Sequence, residues 1–324
     1  MTTDSATAPR PVSFSTAELP DAQRIGLWED HNAHALIGLR CHMLGEVSLD
    51  ATELNLQLEQ LHLARVRGNA HVVERSPELI RGHPADAIAV YLTLVGEAFF
   101  YHDDGVRTLS PGQVLICDAD RPFMRGFSGG LEELAIKVPR PLFRELTGLD
   151  SLDTPLVRDF ARGDVAARTL ARLVDRALRP DGGEPVDERT ALSLLTSVAG
   201  SRPADPGLVY LASARAFIED HLTEVNLSAA RVATGIGISE RQLSRVFAVT
   251  DASVPQFVLA RRLDRARALL ESAPEIPVGE IAARYGFGSA GRFSQAFKAR
   301  FGIRATDLRR QARAGRLAQA GRLA

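Results

Sequence analysis

Two short stretches of the chain carry side chains suited to gripping a polyanion. Arg241, Gln242, Ser244 and Arg245 fall within five residues of one another, and Arg292, Gln295 and Lys298 fall within seven, directly behind Gly291. A guanidinium presents its donors as a planar fork that fits phosphate and the O6 and N7 edge of guanine. A side-chain amide can pair with adenine in the same bidentate way, whereas lysine donates as a point charge that positions without reading sequence. Arg241 and Arg245 stand four apart, and Arg292, Gln295 and Lys298 stand at steps of three. On a helix each set therefore shares one face.

Such faces need helices to hold them, and the flanking sequence writes the same unit twice. The first copy reads Val232-Ala233-Thr234-Gly235-Ile236-Gly237-Ile238-Ser239, then Leu243 and Phe247. The second reads Ile281-Ala282-Ala283-Arg284-Tyr285-Gly286-Phe287-Gly288-Ser289, then Phe293 and Phe297. The serine, the apolar residue and the phenylalanine recur at an offset of 50 residues, but the residues before the turn recur at 49, so the second turn holds one extra residue. Gly237 and Gly286 sit where a positive φ costs least. Ser239 and Ser289 are placed to cap the following helix, and Gln242, three after Ser239, completes a capping box. Between the copies, Pro255 to Leu270 reads as one amphipathic helix that buries Leu263, Ala266, Leu269 and Leu270. A buried stripe behind an outward polar face is what a helix-turn-helix lays in a DNA major groove. Two hairpins of a helical bundle would share the local pattern, but not the repeated register.

This stretch resembles the DNA-binding domain of the AraC/XylS family of bacterial transcription regulators. The resemblance rests on Ala233, Gly237, Ser239, Leu243, Phe247, Pro255, Arg262-Leu263, Ala266, Leu269-Leu270, Ile281-Ala282, Gly286-Phe287, Ser289, Phe293, Phe297-Lys298, Phe301-Gly302 and Arg309. It spans roughly residues 211 to 312. Asp251 stands where the family usually has glycine, Ala305 replaces a proline, and Leu308 replaces an aromatic residue. The resemblance implies two DNA-reading units, with Arg241, Gln242, Ser244, Arg245, Gly291, Arg292, Gln295 and Lys298 at the double-stranded DNA. It also implies a small-molecule effector, RNA polymerase as a partner and homodimerisation through the front of the chain.

Charge divides the chain in the same place. From Leu208 onward there are 18 Lys+Arg against 10 Asp+Glu; the remainder holds 21 against 30. A basic back third behind an acidic front suits a DNA-binding module joined to another domain. We expect a disordered tail at 1–13, a sensing domain at 14–200, a linker at 201–207, the DNA-binding domain at 208–312 and a second disordered tail at 313–324. The linker assignment rests on Ser201-Arg-Pro-Ala-Asp-Pro-Gly207, and the last tail repeats Ala-Gly-Arg-Leu-Ala.

The front half reads as strands. Leu54, Leu56 and Leu58 alternate, as do Ile88, Val90, Leu92 and Leu94, and Asp104-Gly105 makes a hairpin turn between apolar runs. Many short strands argue for a β-sandwich or barrel. The segment Leu109 to Ile116, followed by Asp118 to Phe123, resembles the cupin-like sensor half of the same family. The expected fold class is thus α+β: a cupin-like β-barrel with flanking helices, then an all-α domain of two helix-turn-helix units joined by a linker helix.

No cofactor or catalytic site is expected in this half. His31 and His34 lie three apart and could chelate, but no His-x-His is followed by glutamate at a cupin-like spacing, so no metal and no cofactor are expected. Cys41 and Cys117 have no metal-type spacing and are expected to be free thiols. Arg65, Arg67, Arg81 and Arg125 could hold a carboxylate ligand, though each reads better as a surface charge. There is no Walker-type phosphate loop, no run of 18 apolar residues and no signal peptide, so a cytoplasmic protein without a membrane role is expected. The reading is a ligand-responsive DNA-binding activator that is not an enzyme. The alternatives are a cupin-type enzyme fused to a DNA-binding domain and a ligand-independent DNA binder.

Overall fold

The computed structural model describes residues 10–161, 163–179, 186–200, 206–250 and 252–323. The chain divides into two compact units, Met1–Val209 and Tyr210–Ala324. The first contains β1 (Val12–Ser15), α1 (Asp21–Ala35), β2 (Arg40–Met43), β3 (Ala51–Gln57), β4 (His62–Gly68), β5 (His71–Arg75), α2 (Pro77–Gly82), β6 (Ala87–Val95), β7 (Ala98–His102), β8 (Gly105–Leu109), β9 (Gln113–Asp118), β10 (Phe123–Phe127) and β11 (Leu131–Pro139). After these come α3 (Arg140–Thr147), β12 (Leu156–Asp159), α4 (Val165–Ala177) and α5 (Glu188–Val198). The helices α6 (Pro206–Asp220), α7 (Ala229–Ile236), α8 (Glu240–Phe247), α9 (Val254–Ser272), α10 (Val278–Arg284), α11 (Ala290–Phe301) and α12 (Ala305–Leu323) follow.

The strands form two antiparallel sheets, the double-sheet arrangement of the cupin-like half expected. One runs β1-β3-β4-β11-β6-β9-β12 and the other β2-β5-β10-β7-β8. The edge strands are β1 and β12 in the larger sheet and β2 and β8 in the smaller, and the turn at Pro111-Gly112 carries the chain from one sheet to the other. The arrangement is a cupin-like double sheet with edges.

Strand alternation identifies two faces of the larger sheet, and both are buried. Leu63, Ile88, Val90, Leu92, Val114, Ile116, Leu134, Ile136 and Val138 are 0–1% exposed. This branched stripe lies on the face away from the other sheet. There α3 packs on β6 and β11, and α4 packs on β11. The opposite face, toward the second sheet, is small and partly polar. It carries Ala51, Ala64, Ala87, Ala89 and Ala135 together with Tyr91, Leu115 and Cys117. The leucines and isoleucines that announce these strands thus hold the helices, and the space between the sheets is left to alanine and to polar groups.

Several boundaries differ from the sequence expectation. Val12 and Ser13, expected in a disordered tail, are part of β1, which pairs with β3 in the register Val12↔Asn55 to Ser15↔Thr52. That partner lies some 40 residues away, so no local pattern could announce it. Residues 313–323 were expected to be disordered, but the backbone of α12 runs to Leu323; alanine, arginine, leucine and glutamine are all good helix formers. Of the expected linker, 201–205 lie outside the described residues, and Pro206 and Gly207 open α6.

Candidate nucleic-acid interface

Both repeated units fold as helix, turn and helix. In the first, α7 is capped by Ser228, whose hydroxyl accepts from the Arg231 amide at 3.2 Å, and it ends on Gly237 at φ 75°. The Ser239 hydroxyl then accepts from the Gln242 amide at 3.2 Å and starts α8. In the second, α10 ends before Gly286 at φ 72°, and Ser289 accepts from the Arg292 amide at 3.3 Å to start α11. The full capping box forms at α9, where the Ser253 amide donates to Gln256 Oε1 at 2.8 Å, not at the Ser239–Gln242 pair where it was expected.

The buried faces are those the periodicity indicates. Leu243, Val246 and Phe247 are buried in α8, and Phe293 and Phe297 in α11. In the second unit Phe287 meets Phe293 edge-on at 5.0 Å, and Phe297 lies 4.7 Å from Phe301. A required residue that the motif did not reveal is Gly235: a Cβ there would fall about 2.1 Å from the Phe217 ring of α6. The signal was the helix-interior glycine itself, which is costly unless another chain crosses close by. Asp251, one of the departures noted above, lies outside the described residues. Ala305, another, is buried at the first position of α12.

Helix α9 belongs to both units. Its start, Val254 and Val258, joins the core formed by α6, α7 and α8. Its end, Leu263, Ala266 and Leu270, joins the core of α10 and α11. At 19 residues it is about 28 Å long. Arg262 stitches the halves together. It donates Nε to Leu222 O at 3.0 Å, one terminal nitrogen to Gly286 O at 3.3 Å and the other to Glu224 O. Asp264 of the same helix holds Arg300 of α11 through two bonds of 2.9 Å.

What remains exposed is the candidate reading surface. Arg241, Ser244 and Arg245 are exposed on α8, with Gln242 half-buried beside them, and Gly291, Arg292, Gln295 and Lys298 are exposed on α11. Among the described residues the side chains of Arg241, Arg245, Arg292, Gln295 and Lys298 make no ion pair or hydrogen bond, whereas Arg262, Arg267 and Arg300 of the same unit are engaged. Arg284 and Arg304, which the motif did not single out, are also exposed and unengaged among the described residues. These cations are free to meet a phosphate without first breaking an intramolecular bond.

The first unit holds a second set of polar groups, buried between the sheets. Glu53, Val66, Glu133 and Thr93 form one row across β3, β4, β11 and β6. Arg125 reaches over from β10 and grips Glu133 with bonds of 3.0 and 2.7 Å, its guanidinium 3.8 Å from the Tyr91 ring centre. Arg125 is 2% exposed, so its reading as a surface charge is corrected. Arg65 is bound to Glu132 and Asp175, Arg67 to Glu132, and Arg81 to Glu78. His31 stacks on Phe14 at 4.2 Å and puts Nε2 3.0 Å from the Asn55 amide, while His34 bonds the Asp30 carbonyl. The pair therefore serves two separate contacts. Cys41 and Cys117 are free and buried.

Glu53 is fully buried, and neither carboxylate oxygen has a hydrogen-bond partner among the described residues. Burial pushes its pKa up from an ordinary 4.5 to about 7. The Asn55 amide, turned toward His31, opposes the rise, and the Glu133 charge adds to it. An acid whose folded pKa is raised holds its proton longer in the folded state. Its contribution is complete below pH 4.5 and is lost as pH rises to about 7. His31, His62 and His71, held below the ordinary imidazole range first by burial, give the opposite slope below about pH 6.5. The difference between wild type and Glu53→Gln isolates the carboxyl. Relative to the variant, the wild type should lose about 3 kcal/mol between pH 4.5 and 7.5 in urea melts, and parallel curves would contradict this.

Two short spellings in the chain suggest other chemistry, and the fold rejects both. Gly126-Phe127-Ser128-Gly129-Gly130 matches a nucleophile elbow, but it joins β10 to β11, whereas an elbow turns a strand into a helix. Gly286 to Gly291 spells a dinucleotide fingerprint, but a helix precedes it, not a strand.

Comparison with known proteins follows the same division. A helix-turn-helix domain model matches residues 232–311, and an AraC-binding-like domain model matches residues 28–200. The chain is 22% identical over 256 residues to the transcriptional activator NphR of Rhodococcus sp, covering 75% of each protein. It is 31% identical over 105 residues to the transcriptional activator RhrA of Rhizobium meliloti (strain 1021), covering 32% of this chain and 33% of that one. The crystal structure of the AraC-like transcriptional activator CuxR aligns over 80% of this chain and 96% of its own, at 20% identity and a TM-score of 0.47. With over half its length in the AraC-binding-like domain and tandem helix-turn-helix units behind it, the chain belongs to the AraC family of DNA-binding, ligand-responsive transcription regulators.

Proposed function

We propose that the chain is a cytoplasmic transcription activator that reads DNA with α8 and α11 and answers to a small molecule held by its first unit. The observation that carries the reading is the pair of exposed faces, Arg241, Gln242, Ser244 and Arg245 on one helix and Gly291, Arg292, Gln295 and Lys298 on the other, seated on the single helix α9. Arg284 and Arg304 add phosphate contacts beside the second face. Activation, rather than repression, rests on the names of the relatives, and contact with RNA polymerase is part of the same proposal. Homodimerisation through the first unit is part of the same proposal. We assign the chain no catalytic activity.

Each cation that reaches a phosphate displaces a counterion, so affinity falls with salt in proportion to their number. With about five such contacts, log Kobs against log salt should have a slope near −4 to −5 for specific duplex. Titrations of the full chain at several salt concentrations give this slope directly. A slope near zero would contradict the assignment of these side chains to the DNA backbone.

A further inference from the structure

The repeat that relates α8 to α11 extends to the helices behind them. Helix α9 begins at Val254 and α12 at Ala305, 51 residues on; each first residue is buried, and each helix runs for 19 residues. At that offset Phe257 answers to Leu308, Arg262 to Arg313 and Arg265 to Arg316. The docking is repeated too. Arg262 of α9 holds the loop that leads into α7, at Leu222 O and Glu224 O. Arg309 of α12 donates to Ile276 O at 3.4 Å, and Arg316 lies 3.6 Å from Glu275, both in the loop that leads into α10. Helix α12 therefore stands to the second unit as α9 stands to the first.

The far halves of the two helices differ. That of α9 is covered by the core of α10 and α11, and its arginines are spent inside the protein, Arg262 on backbone carbonyls and Arg265 on Glu219. Among the described residues only Ala305 and Leu308 of α12 join that core. From Leu308 to Ala324 the sequence holds five arginines and no acid. Arg310, Arg313 and Arg316 stand at steps of three, so they share a face, and all three are exposed. Arg313 has no partner among the described residues. Arg310 with Asp307 and Arg316 with Glu275 are exposed pairs at 3.3 and 3.6 Å, which hold their partners weakly. The first helix of a helix-turn-helix crosses the DNA backbone. In the second unit that helix is α10, and α12 passes the loop that leads into it.

We propose that α12 is a further DNA contact: it runs on along the duplex from the second unit, and Arg310, Arg313 and Arg316 meet phosphates on the outer flank of the groove that α11 enters. This rests on the DNA-reading role of α8 and α11, and it gives the repeated Ala-Gly-Arg-Leu-Ala tail a place in that role. The helix is about 28 Å long and a turn of duplex about 34 Å, so the contact falls within one turn of that groove. Phosphates carry no sequence, so α12 adds affinity and leaves the preferred motif unchanged.

The test is a set of salt titrations of the full-length protein on three duplexes: one that ends at the edges of the selected site, and two that extend it by one turn on either flank. On the short duplex the slope of log Kobs against log salt should stay near −4 to −5. Extension of one flank only should tighten binding and steepen the slope by about 2 to 3, close to one for each phosphate neutralised. The variant Arg310→Gln, Arg313→Gln, Arg316→Gln should lose this gain and keep the short-duplex slope. Glutamine is a good helix former and the pairs it breaks are exposed, so this variant should melt as wild type does. The corresponding triple lysine variant should keep most of the gain, because an ammonium also neutralises phosphate. A wild type that gains from neither flank overturns the proposal. So does a gain that survives in the glutamine variant or vanishes in the lysine variant. In each of these cases specific binding to the short duplex leaves the two reading units standing, and failure to bind any of the three duplexes counts against both.

Discussion

Arg245→Ala should lower affinity for the specific site by about 1–3 kcal/mol and relax the preference at one or two base pairs in one half of it. The two reading faces are unequal. On α8, Arg241 and Arg245 are exposed four residues apart, with no intramolecular partner among the described residues. A guanidinium so placed can close on guanine O6 and N7. Near the start of α11, where a base-reading side chain would be expected, stands Gly291. It adds no contact and costs the helix about 1 kcal/mol relative to alanine. Gln295→Ala should therefore cost less than Arg245→Ala, and Lys298→Ala should weaken binding to all sequences about equally. Site selection from a random pool, run with wild type and the three variants, separates these outcomes. If the Arg245 variant keeps the wild-type motif while the Gln295 variant loses it, α8 is not the principal reader.

The second large effect lies between the sheets. Arg125→Met leaves the buried Glu133 carboxylate without its two bonds of 3.0 and 2.7 Å, next to Glu53 across Val66. Removing one partner of a buried ion pair strands the other, at about 3–5 kcal/mol. Replacing both at once, Arg125→Met with Glu133→Leu, should recover much of that loss, since an apolar pair of similar volume escapes the desolvation penalty. Urea unfolding of the three proteins measures the coupling. A single variant as stable as wild type, or a double variant no better than the single, would show that the pair does not hold the sheets as described.

The reading helices were legible because everything that defines them is local. Ser239 and Ser289 cap within one turn, Gly237 and Gly286 close the turns at positive φ, and Leu243, Phe247, Phe293 and Phe297 recur at helical spacing. The sheet half was legible only as strands. Alternation at Leu54 and Leu56, or at Ile88, Val90 and Leu92, marks two faces without saying what lies against each. The apolar face supports the helices, and the face toward the second sheet is the other set: Glu53, Asn55, Ala89, Tyr91. Arg125 was misread for the same reason, since only the pairing of β10 with β5 and β7 turns it inward toward Glu133. The β1–β3 pairing and the assignment of β8 and β12 to the edges of different sheets depend on contacts far apart in sequence, which no window of residues contains.

We propose that the two helix-turn-helix units, held by Arg262 and the two cores that share α9, enter successive major grooves on one face of the duplex. Hydroxyl-radical footprinting of the full-length protein on a selected site tests it most directly. The arrangement predicts two short protected tracts with centres about 10 bp apart. A single protected tract would contradict it.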